Sequence, residues 1–474
     1  MSLPVHAQQI LTLDGCREMA VTSNSEMEAA QTKIEMSRLD KKIALANYFP
    51  NISAKGAYMY NEKNLSIITD ETSNQLQNAG TIMHDAIEGK IDSKLLEDLF
   101  NKISQLDIAG NINEIGSSID AALHPDFHNI VVGAISVQQP IFMGGKIVAA
   151  NKIAELAEQL SRSQYDQKYQ EIIIGVDQSY WQIVSIANKL KLAEAYSDLL
   201  HKLEHDVEMS MAAGVMTKTD LLEIQVKVNE ADMIKLKAEN GLTLSKMLLC
   251  KQIGLPLNSD IKLVDENLEE IPIPEVLGAK DIEAIWADRP EIRSLQLASN
   301  IYDKKVAVVR ADMMPQVAVM ANYMMVYPNI YNGFEKKVGG SFNVGVMVNI
   351  PIFHACEKLN KTRKAKAEAS LYRIQLGDAK NMVNLQVTQL RKQQGETVEK
   401  LNMARSNMLN AEENLRTASV GFEAGVVPVN TAIAAHTAWL QAHSDYIDAG
   451  IELQMNHVNL MKAEGDYVDS AINE

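Results

Sequence analysis

The feature that most constrains this chain is a spacing. Val346-Met347-Val348-Asn349-Ile350-Pro351-Ile352-Phe353 repeats the pattern around Gln139-Pro140-Ile141-Phe142-Met143-Gly144-Gly145, and Glu423-Ala424-Gly425-Val426 repeats Ala212-Ala213-Gly214-Val215. The offset is 351 − 140 = 211 at the proline and 425 − 214 = 211 at the glycine. Between each proline and its glycine lies a proline-free run of helical periodicity. A unit of strand, proline turn, very long helix and glycine turn has therefore been duplicated without net insertion. An earlier pair of prolines, Pro50 and Pro315, is offset by 315 − 50 = 265. The extra 265 − 211 = 54 residues belong to a polar insert in the first copy.

On this reading residues 8–250 form the first repeat, with a helix over 11–48, strands over 51–62 and 129–141, an insert over 63–128, and helices over 145–211 and 219–253. A linker, 251–280, leads to the second repeat, 281–465. That repeat has a helix over 281–313, strands over 316–327 and 340–352, and helices over 355–422 and 430–465, before a tail, 466–474. The insert carries short amphipathic segments at Met83–Ile87 and Leu95–Leu106. A helix over 145–211 would extend roughly 100 Å at 1.5 Å per residue, far beyond a globular helix. Residues 1–7 read as the remainder of a secretory signal, with Val5-His6-Ala7 ahead of Gln8.

The strands alternate. Ile52, Ala54 and Tyr58 share one face of the first, and Val137 lies on the apolar face of the second. Val317, Val319 and Tyr323 line the third, and Val344, Val346 and Val348 the fourth. No run of 18 or more apolar residues offers a transmembrane helix, so strands must make any crossing. These ten residues are expected to face lipid, with tyrosines near the strand ends as interfacial anchors. About eight strands is the smallest number that closes a barrel, so several copies of a four-stranded chain must share one.

The helices carry a second oligomer signal. Leu401, Ala404, Met408, Ala411, Leu415, Ala418 and Phe422 keep a 3-4 spacing. Ala432, Ala435, Trp439, Ala442, Tyr446, Ala449 and Leu453 continue it beyond the turn. Subtracting 211 gives Leu190, Ala193, Ser197, Leu200, Glu204, Val207 and Met211, then Leu221, Ile224, Val228, Ala231, Lys235, Ala238 and Leu242. The alanines allow close antiparallel packing.

This arrangement resembles the TolC-like outer-membrane efflux family over residues 8–465. The resemblance rests on the duplicated order, the strand exits and the turn Ala213-Gly214-Val215-Met216-Thr217-Lys218-Thr219-Asp220-Leu221-Leu222. It implies a mixed α and β membrane protein, with long antiparallel coiled-coil helices forming a periplasmic α-barrel. Four strands per chain would contribute to a homotrimeric 12-stranded outer-membrane barrel in a Gram-negative bacterium. Its implied role is a passive exit duct for small molecules, served by a periplasmic membrane-fusion adaptor and, through it, an inner-membrane pump. By position Gly214, Val215, Thr217, Asp220 and Leu221 would form one periplasmic tip that meets the adaptor. Gly425, Val426, Val427 and Thr431 would form the other. The family's usual arginine and carboxylates near the second turn are replaced here by Val427, Thr431 and Ala434, and Phe422 stands where a tyrosine would bond. The closed entrance is therefore expected to be held by packing of Phe422, Val426 and Val427 across chains, with Asp220 and Glu223 as the remaining acidic candidates.

Alternatives stay open. A type I secretion duct for polypeptides uses the same parts, and a trimeric coiled-coil adhesin or scaffold would be marked by a terminal display domain. An enzyme is not expected, because no G-x-S-x-G, P-loop or dinucleotide fingerprint occurs, and no cofactor is expected. The net charge of −16 opposes a nucleic-acid partner. His201-Lys202-Leu203-Glu204-His205 spells a zinc-peptidase pattern, but within a helix seam rather than a cleft. His124-Pro125-Asp126-Phe127-His128 reads as a polar loop end, and the 23 methionines as core filler. Cys16, Cys250 and Cys356 give no disulfide framework. Asp14 and the lack of an upstream apolar run oppose a lipidated Cys16.

Overall fold

The computed structural model describes residues 9–63, 68–88, 108–123, 127–267, 272–274, 278, 280–332, 335–353 and 355–466. Residues 1–7, the Leu95–Leu106 segment, residues 124–126 of the histidine-bearing loop and most of the 466–474 tail lie outside them. The chain divides into two compact units. The helical unit comprises 1–42, 149–306 and 361–474, and the sheet unit 43–148 and 307–360.

Two helices of identical length dominate. α6 (Lys146–Ala212) and α10 (Glu357–Glu423) have 67 residues each, and both of their ends differ by 211. Their partners are α7 (Lys218–Gln252) and α11 (Val429–Glu464), again 211 apart at the start. Seam positions are buried or half-buried throughout: Leu200, Val207, Ile224 and Ala231 are at most 1% exposed, as is Ala432, and Phe422 is 8% exposed. No helix among the described residues is long and apolar enough to cross a membrane.

The shorter helices depart from expectation at two points. The helix read over 11–48 is α1 (Leu13–Ser23) and α2 (Ser25–Ala46), preceded by a short strand, β1 (Gln9–Leu11). Asn24 makes the break. It adopts an extended backbone, and its Oδ1 accepts the Glu26 N–H at 2.8 Å, as a helix N-cap does. The helix read over 281–313 is α8 (Ile282–Asp288) and α9 (Pro290–Ala311). Pro290 suits a first helical position, and it forces Arg289 before it out of helical geometry. Its presence in the sequence was a readable stop.

A further pairing has no counterpart in the sequence reading. β1 runs parallel to β4 (Ile261–Leu263) with Leu11 opposite Leu263. It closes a core of Leu11, Cys16, Ala20, Val176, Tyr180, Ile183, Leu249, Cys250 and Ile261 within the helical unit. Cys16 is fully buried there, and that burial pushes its thiol up to about 12. Beside it Arg17 donates to both oxygens of the fully buried Asp177 at 2.7 Å each.

The sheet unit holds four antiparallel strands in the order β2-β3-β5-β6: Asn51–Tyr60, Asn129–Met143, Gln316–Tyr327 and Gly339–Asn349. β3 runs through Pro140 to Met143, beyond the expected end at 141, because an irregularity between Pro140 and Phe142 absorbs the missing N–H. β2 starts as expected at Asn51 and β6 one residue early at Gly339, and both end earlier than expected, at Tyr60 and Asn349. The insert holds α3 (Asp70–Gln77), α4 (Ala79–Glu88) and α5 (Ile108–Leu123). α5 crosses α3 so closely that a Cβ on Gly116 would lie 1.8 Å from the Leu76 carbonyl oxygen. At its neck the Asn61 backbone N–H donates to the His128 carbonyl at 2.8 Å.

The turn from strand to long helix is built twice. Gly144 and Gly145 take φ of +62° and +84°, and 211 residues later Ala355 and Cys356 take +41° and +62°. The second copy therefore holds two side-chain-bearing residues in a left-handed backbone that glycine occupies in the first.

Candidate functional site

Two places gather the residues singled out by sequence: the paired helix turns and one face of the sheet.

Each turn ends its long helix in the same way. Gly214 N–H donates to Met211 O at 3.0 Å and Val215 N–H to Ser210 O at 3.0 Å. In the second copy Gly425 N–H reaches Phe422 O and Val426 N–H reaches Gly421 O, both at 2.9 Å. These are Schellman closures, which need a left-handed residue at the glycine. Gly214 and Gly425 sit at φ +76° and +72°. The residue after each glycine is thrust outward: Val215 is 78% exposed and Val426 79%.

The turns then diverge. Thr217 caps α7 through a complete capping box: its Oγ1 accepts the Asp220 N–H at 3.3 Å, and Asp220 Oδ2 accepts the Thr217 N–H at 2.8 Å. Those bonds from Thr217 hold the Asp220 carboxyl below its ordinary range. At the equivalent place Pro428 caps α11 with no side-chain bond, and Thr431 replaces Asp220. The Thr-x-x-Asp spacing of the box was visible in the sequence, although it was read there only as turn residues.

The structure brings the two turns onto one core. Leu200, Leu203, Val207, Ile224 and Val228 of the first hairpin pack with Phe422, Val429, Ala432 and Ile433 of the second, and Leu221 lies against them. Within one chain the Phe422 ring is part of this core and 8% exposed. Val427 is half-buried, with its Cγ2 only 2.5 Å from where a Cβ on Gly421 would lie, whereas Val426 remains open. The seam also places Leu203 rather than Glu204 inward. His201 instead faces Glu204 at 3.6 Å and Asp232 at 3.4 Å. Among the described residues no group of three or more His, Cys, Asp or Glu could hold a metal ion.

On the sheet, register decides the faces. Ile52 pairs with Val137, Ala54 with Ile135 and Tyr58 with Val131. Ile135 pairs in turn with Tyr323, which pairs with Phe342; Val319 pairs with Val346, and Val317 with Val348. Residues paired across strands share a face. Ile52, Ala54, Tyr58, Val137, Val317, Val319, Tyr323, Val344, Val346 and Val348 thus form one continuous apolar surface. Its opposite is mixed: it carries Asn51, Ser53, Ser136, Gln138, Gln316, Asn322, Ser341, Asn343 and Asn349, with an Asn322–Asn343 side-chain bond at 3.0 Å, interspersed with apolar residues such as Val132, Met320 and Met324. β2 and β6 are both edge strands.

Duplicated hairpins, Schellman turns and a two-faced sheet find a match among known families. The model for outer membrane efflux proteins matches residues 105–254 and 282–466, one stretch in each repeat and together more than half of the chain. The chain belongs to the outer membrane efflux protein family. It is similar to the alkaline protease secretion protein AprF of Pseudomonas aeruginosa, at 24% identity over 235 residues. That match covers 49% of the chain and 48% of AprF, so the chain spans about half the length of this curated relative. Its fold is similar to that of VceC from Vibrio cholerae, at 13% identity, a TM-score of 0.72 and 96% of each chain covered. It is also similar to the CmeC channel of Campylobacter jejuni, at 12% identity, a TM-score of 0.74 and 97% and 87% covered. Members of this family are outer-membrane channels rather than enzymes.

Proposed function

We propose that the chain is the outer-membrane exit duct of an export system and works as a homotrimer. What carries the reading is the sheet: one face is largely apolar, the opposite one carries Lys55 and most of the serine, asparagine and glutamine side chains, and both edges are unpaired among the described residues. A membrane strand pair needs such a division, and unpaired edges in lipid must be closed by further strands. Three copies would close 12 strands, with Ile52, Ala54, Tyr58, Val137, Val317, Val319, Tyr323, Val344, Val346 and Val348 toward lipid. Gly214, Val215, Thr217, Asp220 and Leu221, with Gly425, Val426, Val427 and Thr431, then form the periplasmic tips that meet a membrane-fusion adaptor. Solute is driven by an inner-membrane pump coupled through that adaptor. The mass of the detergent-extracted protein tests this: a trimer in outer-membrane fractions is expected, and a well-folded monomer with intact strands refutes it.

A second reading concerns cargo. The similarity to a protein named for alkaline protease secretion favours polypeptide export by the same duct. Comparing the secreted proteins and the drug susceptibility of deletion and wild-type strains separates the two.

A further inference from the structure

The four strands contain 10, 15, 12 and 11 residues, and in all of them only Lys55 carries a charge. This is unusual for a chain with 106 Lys, Arg, Asp and Glu residues, 45 + 61, and a net charge of −16. Register puts Lys55 opposite Ala134, two residues from Ser53 opposite Ser136, on the face that carries most of the strands' polar side chains. It is exposed, and no carboxylate shares its sheet. Buried or paired lysines can be structural, but this one is exposed and has no ion-pair partner among the described residues.

We infer that Lys55 is a selectivity residue that makes the barrel lumen favour anionic cargo; this rests on the trimeric-barrel reading above. Twelve strands spaced about 4.8 Å apart and tilted about 40° enclose a backbone radius of about 12 Å. Lysine side chains reach inward from that wall. Each chain contributes one, so the ring brings the axis within the screening length of about 10 Å at 0.1 M salt. No carboxylate on the strands neutralises the ring. Acidic solutes or acidic stretches of polypeptide would be drawn through, and cations opposed, whatever the charge at the entrance.

The test uses the whole trimer in native outer-membrane vesicles, with Cys356→Ser removing the exposed thiol; Cys16 and Cys250 are buried. Ser53→Cys, and separately Ala54→Cys on the opposite face, are labelled with anionic and cationic methanethiosulfonates. Residues two apart on a strand lie about 7 Å apart, inside the screening length. One ammonium there should shift the anion-to-cation rate ratio at Ser53→Cys about threefold relative to Lys55→Gln, and Lys55→Arg should preserve it. Equal ratios in all three backgrounds, with Ser53→Cys freely labelled, would overturn the role of Lys55 and leave the barrel standing. An unreactive Ser53→Cys beside a reactive Ala54→Cys would overturn the barrel orientation and the inference with it.

Discussion

Replacing Cys356 by glycine should stabilise the protein. Ala355 and Cys356 occupy the left-handed turn that Gly144 and Gly145 build in the first copy. A side-chain-bearing residue in that region costs about 1–2 kcal/mol through contact between its Cβ and the backbone. Glycine relieves this but adds unfolded-state freedom worth about 0.4–1 kcal/mol. The net gain is about 1 kcal/mol at each site and about 2 kcal/mol for the pair. The first copy supplies the reverse experiment. A Cβ on Gly145 would meet nothing within 4 Å, so Gly145→Ala should cost the backbone term alone, about 1 kcal/mol. A Cβ on Gly144 would lie 2.6 Å from Met314 Cβ and 2.7 Å from Ala311 O, so Gly144→Ala must also displace backbone and should cost clearly more. Denaturant midpoints of the detergent-purified variants, followed by circular dichroism, read the series. The reasoning fails if Cys356→Gly is destabilising, or if Gly144→Ala and Gly145→Ala cost the same.

On the sheet, Val137→Arg or Val346→Arg should cost about 2–4 kcal/mol and reduce trimer yield, whereas Ser136→Arg on the opposite face should be tolerated; heat-resistant trimer on gels reads both. At the first tip, Thr217→Ala should cost about 1 kcal/mol, while Pro428→Ala, which breaks no side-chain cap, should cost less in the same denaturant assay. The capping role of Asp220 should be full above the ordinary carboxylate range and fade as pH falls through its lowered value, so Asp220→Asn should differ from wild type at pH 6 but converge with it in acid. Burial lowers the pKa of His436, His443 and His457 on α11, and Nδ1 of His436 and of His457 is buried without a partner among the described residues. The unfolded chain therefore takes up protons that these imidazoles resist, so stability should fall as pH drops below the ordinary histidine range. A His436→Gln, His457→Gln pair should flatten that slope.

Periodicity and register-length spacing were determined by the sequence itself. The 211-residue offset reappears at both ends of the 67-residue helices, and the 3-4 seam predicted which residues turn inward. Strand alternation named ten residues that later fell on one face, because a period of two leaves an alternating strand no other option. Tertiary structure decided what depends on partners distant in the chain. The strands at 9–11 and 261–263 are too short to show a pattern and exist because they pair across about 250 residues. Phe422 sits on a seam in sequence, but whether that seam closes within one chain or between chains is fixed by which hairpin lies beside it. The left-handed Ala355-Cys356 turn was invisible because neither residue favours it; the strand before it and the helix after it impose that geometry. The isolation of Lys55 likewise appears only when four strands, separated in sequence, are laid in register and their faces compared.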